Sequence, residues 1–185
     1  MDPRLDLFPH DPVSRVETAV LRYCQEDAGY QAFFVGPTGE AGGNIRDIPA
    51  VRTPLYSSIT LPFLGIAPAA FEDNELLSQT TEVTVEVPIA FVWSFEANAL
   101  TTVAGRRTRI IRHLRKILFQ EPGGVLRDEE GRALSMGVTK FKAVPSPQPW
   151  PIGTLTAVYD EVRVTFKTRY DSPGHNLTEM PTGMD

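Results

Sequence analysis

Seven apolar side chains at every second position, Val83, Val85, Val87, Ile89, Phe91, Trp93 and Phe95, restrict the fold of this chain more than any other feature. Glu82, Thr84, Glu86 and Ser94 occupy alternate positions. Side chains of a strand alternate between its two faces, so Thr80–Phe95 predicts a strand with one face turned to a core. At ~3.3 Å per residue it would run some 50 Å, well beyond the usual strand. Pro88 stands in its middle and cannot donate to a ladder, which predicts an edge position, a bend or a bulge there. So long a strand also predicts that one half sits in the domain sheet while the other projects towards a neighbour.

A helix follows directly. Within Asn98–Phe119, Val103, Ile110, Ile111, Leu114, Ile117 and Leu118 fall on one arc at 100° per residue. Arg109, Arg112, Arg115 and Lys116 lie on the other side, with Arg106 and His113 at a border. Arg107 falls inside the apolar arc. Either the helix begins after Gly105, or the Arg107 stem lies along the core and its head reaches water. Asn98 or Thr101 can cap the helix, and Pro122-Gly123-Gly124 stops it.

The charge distribution makes this helix unusual. The chain has a net charge of −5, and residues 1–100 carry 5 basic and 14 acidic side chains. Residues 101–120 carry 6 basic and no acidic ones. The acidic total argues against bulk nucleic-acid binding, while the segregation suits a subunit that meets copies of itself or an oppositely charged neighbour.

Elsewhere the reading is coarser. Asp11-Pro12 is an N-cap with proline at the first helical position, and Val13, Val16, Val20, Tyr23 and Cys24 share a stripe, so a first helix runs to Asp27–Gly29. Cys24, the only cysteine, is a small apolar core group rather than a nucleophile, and no intramolecular disulfide can form. Tyr30–Val35 (YQAFFV) predicts a short strand, and Gly36–Gly43 a flexible loop that lacks the Lys-Ser/Thr ending of a phosphate loop. Leu55–Leu64 predicts a strand broken at Pro62, and Phe71–Leu77 a polar turn or single helical turn. Asp128–Gly131 is a charged loop with a solvated tip, Gly137–Val144 a strand, and Ser146–Pro151 a stiff linker. In Thr154–Tyr170, Val162, Val164, Phe166 and Tyr170 alternate with Glu161, Arg163, Thr165, Lys167 and Arg169, giving the last strand.

The domain expectation is one unit over 1–185: an arm over 1–10, an α+β body over 11–170, and a polar tail over 171–185 that only a neighbouring chain would order. The body is an antiparallel or mixed sheet packed against two α-helices, with long loops and extended arms. No window supplies the roughly 18 apolar residues of a membrane helix, and the first residues do not read as a signal peptide, so a soluble protein made in the cytoplasm is expected. No catalytic, metal or cofactor constellation is legible. His10, His113 and His175 have no ligand partner at helical spacing, and the neighbouring carboxylates Asp160 and Glu161 must face opposite ways along a strand.

The order helix, strand, long loop, long strand, helix, strand and final alternating strand resembles the tail terminator (tail completion) proteins of long-tailed bacteriophages. The matching pieces are VSRVETAVLRYC, TEVTVEVPIAFVW, TRIIRHLRKILF and AVYDEVRVTFKTRYD, within about residues 11–170. The resemblance implies a non-enzymatic virion protein without cofactor, a hexameric ring at the head-proximal end of the tail. Such a ring caps tail-tube growth and joins the tail to the neck, with the tail tube protein and neck or connector proteins as partners. DNA would pass through its channel without specific binding, and assembly would take place in the host cytoplasm. Arg106, Arg109, Arg112, Arg115 and Lys116 are then candidates for a subunit or neighbour interface. The GPTGEAGG loop, the SPQPWP linker and the tail exceed the minimal domain, so a head-completion or head–tail connector protein stays open. From a different class, so does a nucleic-acid-binding α+β domain using the same cations.

Overall fold

The computed structural model describes residues 11–35, 44–48, 62–75, 80–96, 100–144, 150–152 and 155–171. The arm over 1–10, the Gly36–Gly43 loop and the tail beyond Asp171 lie outside them, as do most of the Pro-rich linker and residues 55–61. Helix α1 spans Pro12–Glu26, and a short turn α2 (Ala28–Tyr30) runs into a π-helical turn, Gln31–Val35. Helix α3 spans Leu100–Leu118. The strands are β1 (Ile45–Asp47), β2 (Phe63–Ile66), β3 (Ala70–Glu75), β4 (Thr80–Glu96), β5 (Gly137–Val144), β6 (Trp150–Ile152) and β7 (Leu155–Asp171).

Among the described residues these seven strands form one sheet in the order β1-β2-β4-β7-β5, with β3 paired to β4 and β6 to β7. Only the β1–β2 pair is parallel, so the sheet is mixed and the class is α+β. The long strand behaves differently from expectation. β4 pairs with β7 along its whole length, from Thr80 opposite Asp171 to Glu96 opposite Leu155, so neither half projects from the sheet. What permits this is a second strand of equal length.

The other flank of β4 is shared by two short strands. β2 covers Ile89–Val92, and β3 covers Thr81–Glu86. Pro88 lies where one gives way to the other, and its carbonyl accepts from the Ala67 amide at 3.0 Å. In an antiparallel strand the N–H and C=O of one residue point the same way. The proline's missing donor therefore faces the break between β2 and β3, and no bond to β7 is lost. Pro88 is not on an edge strand. It lies where the flanking register slips by one residue, Ile66 opposite Ile89 and Ala70 opposite Glu86, an irregularity of the bulge kind.

Odd-numbered β4 residues and even-numbered β7 residues face the helices. Val83, Val85, Val87, Ile89, Phe91, Val162, Val164 and Phe166 pack there with Val16, Val20 and Cys24 of α1 and Leu114, Ile117 and Leu118 of α3. Each such side chain contributes roughly 1.5–3 kcal/mol by leaving water. The opposite face has a smaller apolar cluster of Ile48, Phe63, Ala67, Ala90, Val92 and Tyr159.

Two short segments differ from the sequence reading. Tyr30–Val35 is helical, because Asp27 accepts from the Tyr30 amide at 2.8 Å and starts a turn. Tyr30 and Phe34, four residues apart, then both enter the core, with rings 5.3 Å apart edge to face. Phe71–Glu75 belongs to β3 rather than to a turn. Asp128 is no solvated tip: only 11% of its side chain is exposed, held between Arg15 of α1 at 2.9 Å and Arg132 at 2.7 Å.

Candidate subunit interface on α3

Helix α3 is fixed in rotation by what its inner side touches. Leu114, Ile117 and Leu118 are buried, and Ile110 and Ile111 pack against them, as the apolar arc requires. Arg107 points the same way, and its partly exposed head turns to a buried carboxylate. Its Nε reaches the Asp160 carboxylate of β7 and its Nη2 joins the same group. Asp160 is 2% exposed, so this guanidinium supplies the charge that its burial demands. Glu161, next along the strand, faces the other way as expected, and accepts from Arg163 at 2.6 Å and from the Tyr159 hydroxyl at 3.3 Å.

A second contact sets the tilt of α3 against α1. His113 Nε2 lies 2.7 Å from Asp27 Oδ1, and the His113 and Tyr30 rings lie 5.1 Å apart. The Tyr30 hydroxyl donates to the Ile110 carbonyl at 2.8 Å. Partial burial alone would raise the Asp27 carboxyl, but its bonds from His113 and the Tyr30 amide outweigh that and hold it below the usual range. His113 thus joins the border of the basic face to the end of α1.

With these anchors made, Arg106, Arg109, Arg112, Arg115 and Lys116 all project outward and are exposed. They follow one another at three- and four-residue spacing, where like charges repel by a few tenths of a kcal/mol per pair. Arg115 and Lys116 gain from the negative C-terminal end of the helix. Arg115 also lies 5.4 Å from the centre of the Phe119 ring. Among the described residues none of the five forms an ion pair. Cations elsewhere contrast with this: Arg127 pairs with Glu121, Arg132 with Asp128 and Glu130, Arg163 with Glu86 and Glu161, and Lys167 and Arg169 with Glu82. The sequence-predicted residues are therefore brought together on one face. The Arg107–Asp160 anchor beneath it was missed.

The aromatics of β4 that could have offered a stacking surface, Phe91 and Trp93, face the helices and are buried. Among the described residues no group of three or more His, Cys, Asp or Glu side chains is placed to hold a metal ion. Nor is any helix there long and apolar enough to cross a membrane.

No family model and no curated protein matches the chain. Among solved structures it is similar to a chain of the virion of a native gene transfer agent (GTA) particle, at 12% identity and a TM-score of 0.46. The match covers 85% of this chain and 98% of that one. A likeness of that size is too low to carry a role from one chain to the other.

Proposed function

We propose that the protein is a structural virion protein, a tail terminator subunit that forms a ring at the head-proximal end of a phage tail. There it caps tube growth and joins the tail to the neck. The observation that carries this reading is the stripe of exposed cations on α3 that form no ion pair among the described residues, where the other cations mostly have carboxylate partners. A stripe of this kind is relieved by an acidic surface on another molecule. Closing a ring requires one surface of a subunit to meet a different surface of the next, and a net charge of −5 with one basic face supplies the asymmetry. The particular role follows from the resemblance to tail terminators over about residues 11–170, although the strand expected at Tyr30–Val35 is helical here. A hexamer, contacts to the tail tube and neck proteins, passage of DNA through the channel, a non-enzymatic role and assembly in the host cytoplasm belong to the same reading.

Light scattering across a concentration series, with negative-stain images of the purified protein and of particles, tests it. The expected result is an annular assembly that the Arg109→Glu, Arg112→Glu, Lys116→Glu triple variant cannot form while it keeps its fold. A compact monomer that enters no annular particle would remove the reading. Salt-dependent binding of the isolated chain to duplex DNA would favour the nucleic-acid alternative instead.

A further inference from the structure

The basic face of α3 has a counterpart at the other edge of the same sheet. Over the N-terminal half of β4 the local strand order is β3–β4–β7–β5, with β3 opposite Thr81–Glu86 and β5 opposite Glu161–Lys167 of β7. β3 and β5 are therefore the two edges of that half, about 14 Å apart at the usual inter-strand spacing. Among the described residues β3 pairs with β4 alone, and none pairs with its outer backbone edge.

The two edges carry opposite charge. On the β5 side, α3 packs against β5 and presents its cations, and Lys140 and Lys142 of β5 are themselves exposed. On the β3 side Phe71, Glu72 and Asp73 are exposed, and Phe71 is 61% accessible, the most exposed large apolar side chain among the described residues. Among the described residues neither Glu72 nor Asp73, nor Lys140 or Lys142, forms an ion pair. Phe71 and Asp73, two apart on β3, share one face of the strand while Glu72 takes the other. A ring beside a carboxylate suits arginine, the carboxylate accepting from the guanidinium and the ring face attracting its charge, and Glu72 adds negative charge to the same edge. Within one chain the sheet itself separates the two surfaces.

We propose that Phe71, Glu72 and Asp73 of β3 form the acidic half of a head-to-tail contact, and that its occupant is the α3–β5 flank of a second copy of this chain. The inference rests on the ring-subunit reading above and names the surface that meets the basic face. Each copy then uses one edge as donor and the opposite edge as acceptor, so the contact propagates from copy to copy rather than closing as a two-fold dimer.

Sedimentation velocity of the full chain, with far-UV circular dichroism to check folding, tests the pairing. Glu72→Lys/Asp73→Lys should raise the apparent dissociation constant for self-association at least about tenfold, as Arg109→Glu/Arg112→Glu should. Phe71→Ala, which leaves the charge untouched, should weaken association as well. The decisive sample is an equimolar mixture of the two reversed variants. In it the unaltered β3 edge of the helix variant meets the unaltered α3 flank of the β3 variant, and the second contact sets reversed charges against reversed charges. Association should therefore recover well above that of either variant alone, and a mixture no stronger than the separate variants overturns the pairing. A wild-type ring that Glu72→Lys/Asp73→Lys leaves intact overturns this pairing alone and leaves the ring reading standing. Wild-type chain that stays monomeric at every concentration overturns both.

Discussion

The Nε of Arg107 lies 3.1 and 3.0 Å from the two carboxylate oxygens of Asp160, across the seam between α3 and β7. The Trp93 indole Nε1 stands 3.5 Å from the same carboxylate. A buried carboxylate tolerates its position only while a cation and donors face it, so the pair fixes which side of α3 is left for the outside.

Arg107→Met should therefore lower unfolding stability by about 2–4 kcal/mol, the guanidinium being partly exposed and the carboxylate not. Asp160→Leu combined with Arg107→Met should recover most of that loss, because an apolar pair of similar volume has no stranded charge. Urea denaturation of Arg107→Met, Asp160→Leu and the double variant gives the answer. A single substitution costing under about 1 kcal/mol would mean that the pair does not anchor the helix.

Asp128 should titrate well below an ordinary aspartate. Desolvation alone would raise it, but Arg132, through side chain and amide, and Arg15 bring it down from 3.8 to about 2. A depressed folded value means that the linkage stabilises the fold above the unfolded value and is lost as pH falls through the folded one. Carbon-detected NMR titration should place the Asp128 midpoint near 2, moving up towards 3.8 in Arg132→Ala. A wild-type midpoint already near 3.8 would show that Asp128 is free in solution.

Gly29 matters for room rather than for backbone freedom. A Cβ there would stand 2.8 Å from His113 Nε2 and 3.1 Å from Asp27 Oδ1. Although alanine is the better helix former by about 1 kcal/mol, Gly29→Ala should destabilise by about 1–2 kcal/mol in the wild-type background. In a His113→Ala background the same change should be neutral or stabilising. Equal effects in both backgrounds would mean that the side chains simply move aside.

Amides in both halves of β4 should exchange slowly in the isolated chain, since β7 accompanies the whole strand. Fast exchange confined to Thr80–Val87 or to Ile89–Glu96 would show that one half opens independently.

Long periodic segments are readable from the sequence, as is the alternating Gly137–Val144 strand, whereas the shorter runs are not. β4, β7, α1 and α3 each repeat an apolar spacing often enough to fix both the element and its buried face. The Tyr30–Val35 run is too short for that, although Tyr30 and Phe34 at i, i+4 were the available sign of a helix. β3 shows little alternation because an exposed edge strand needs no buried face there, and Phe71 is open to solvent. The outward cations of α3 followed from their place off the apolar arc. Arg107 and Asp160 each break an apolar pattern on a different element, and only setting the two interruptions side by side would have paired them. The length of β4 was read as excess because its equal partner lies far along the chain.

That distance bears on how the molecule forms. Thr80 meets Asp171, and the loops, a helix and two smaller strands between them must be spanned before the central pair can close. Pairings so distant along the chain fold slowly, because the entropy of closing the loop is lost before most contacts are gained. During synthesis, β4 leaves the ribosome with its row of valines and aromatics well before β7 exists. Until then β2 and β3 can pair with one side of it only, and its β7 side stays an open apolar edge of the kind that associates with other chains. Among the described strands, the last in chain order is the one that ends this exposure.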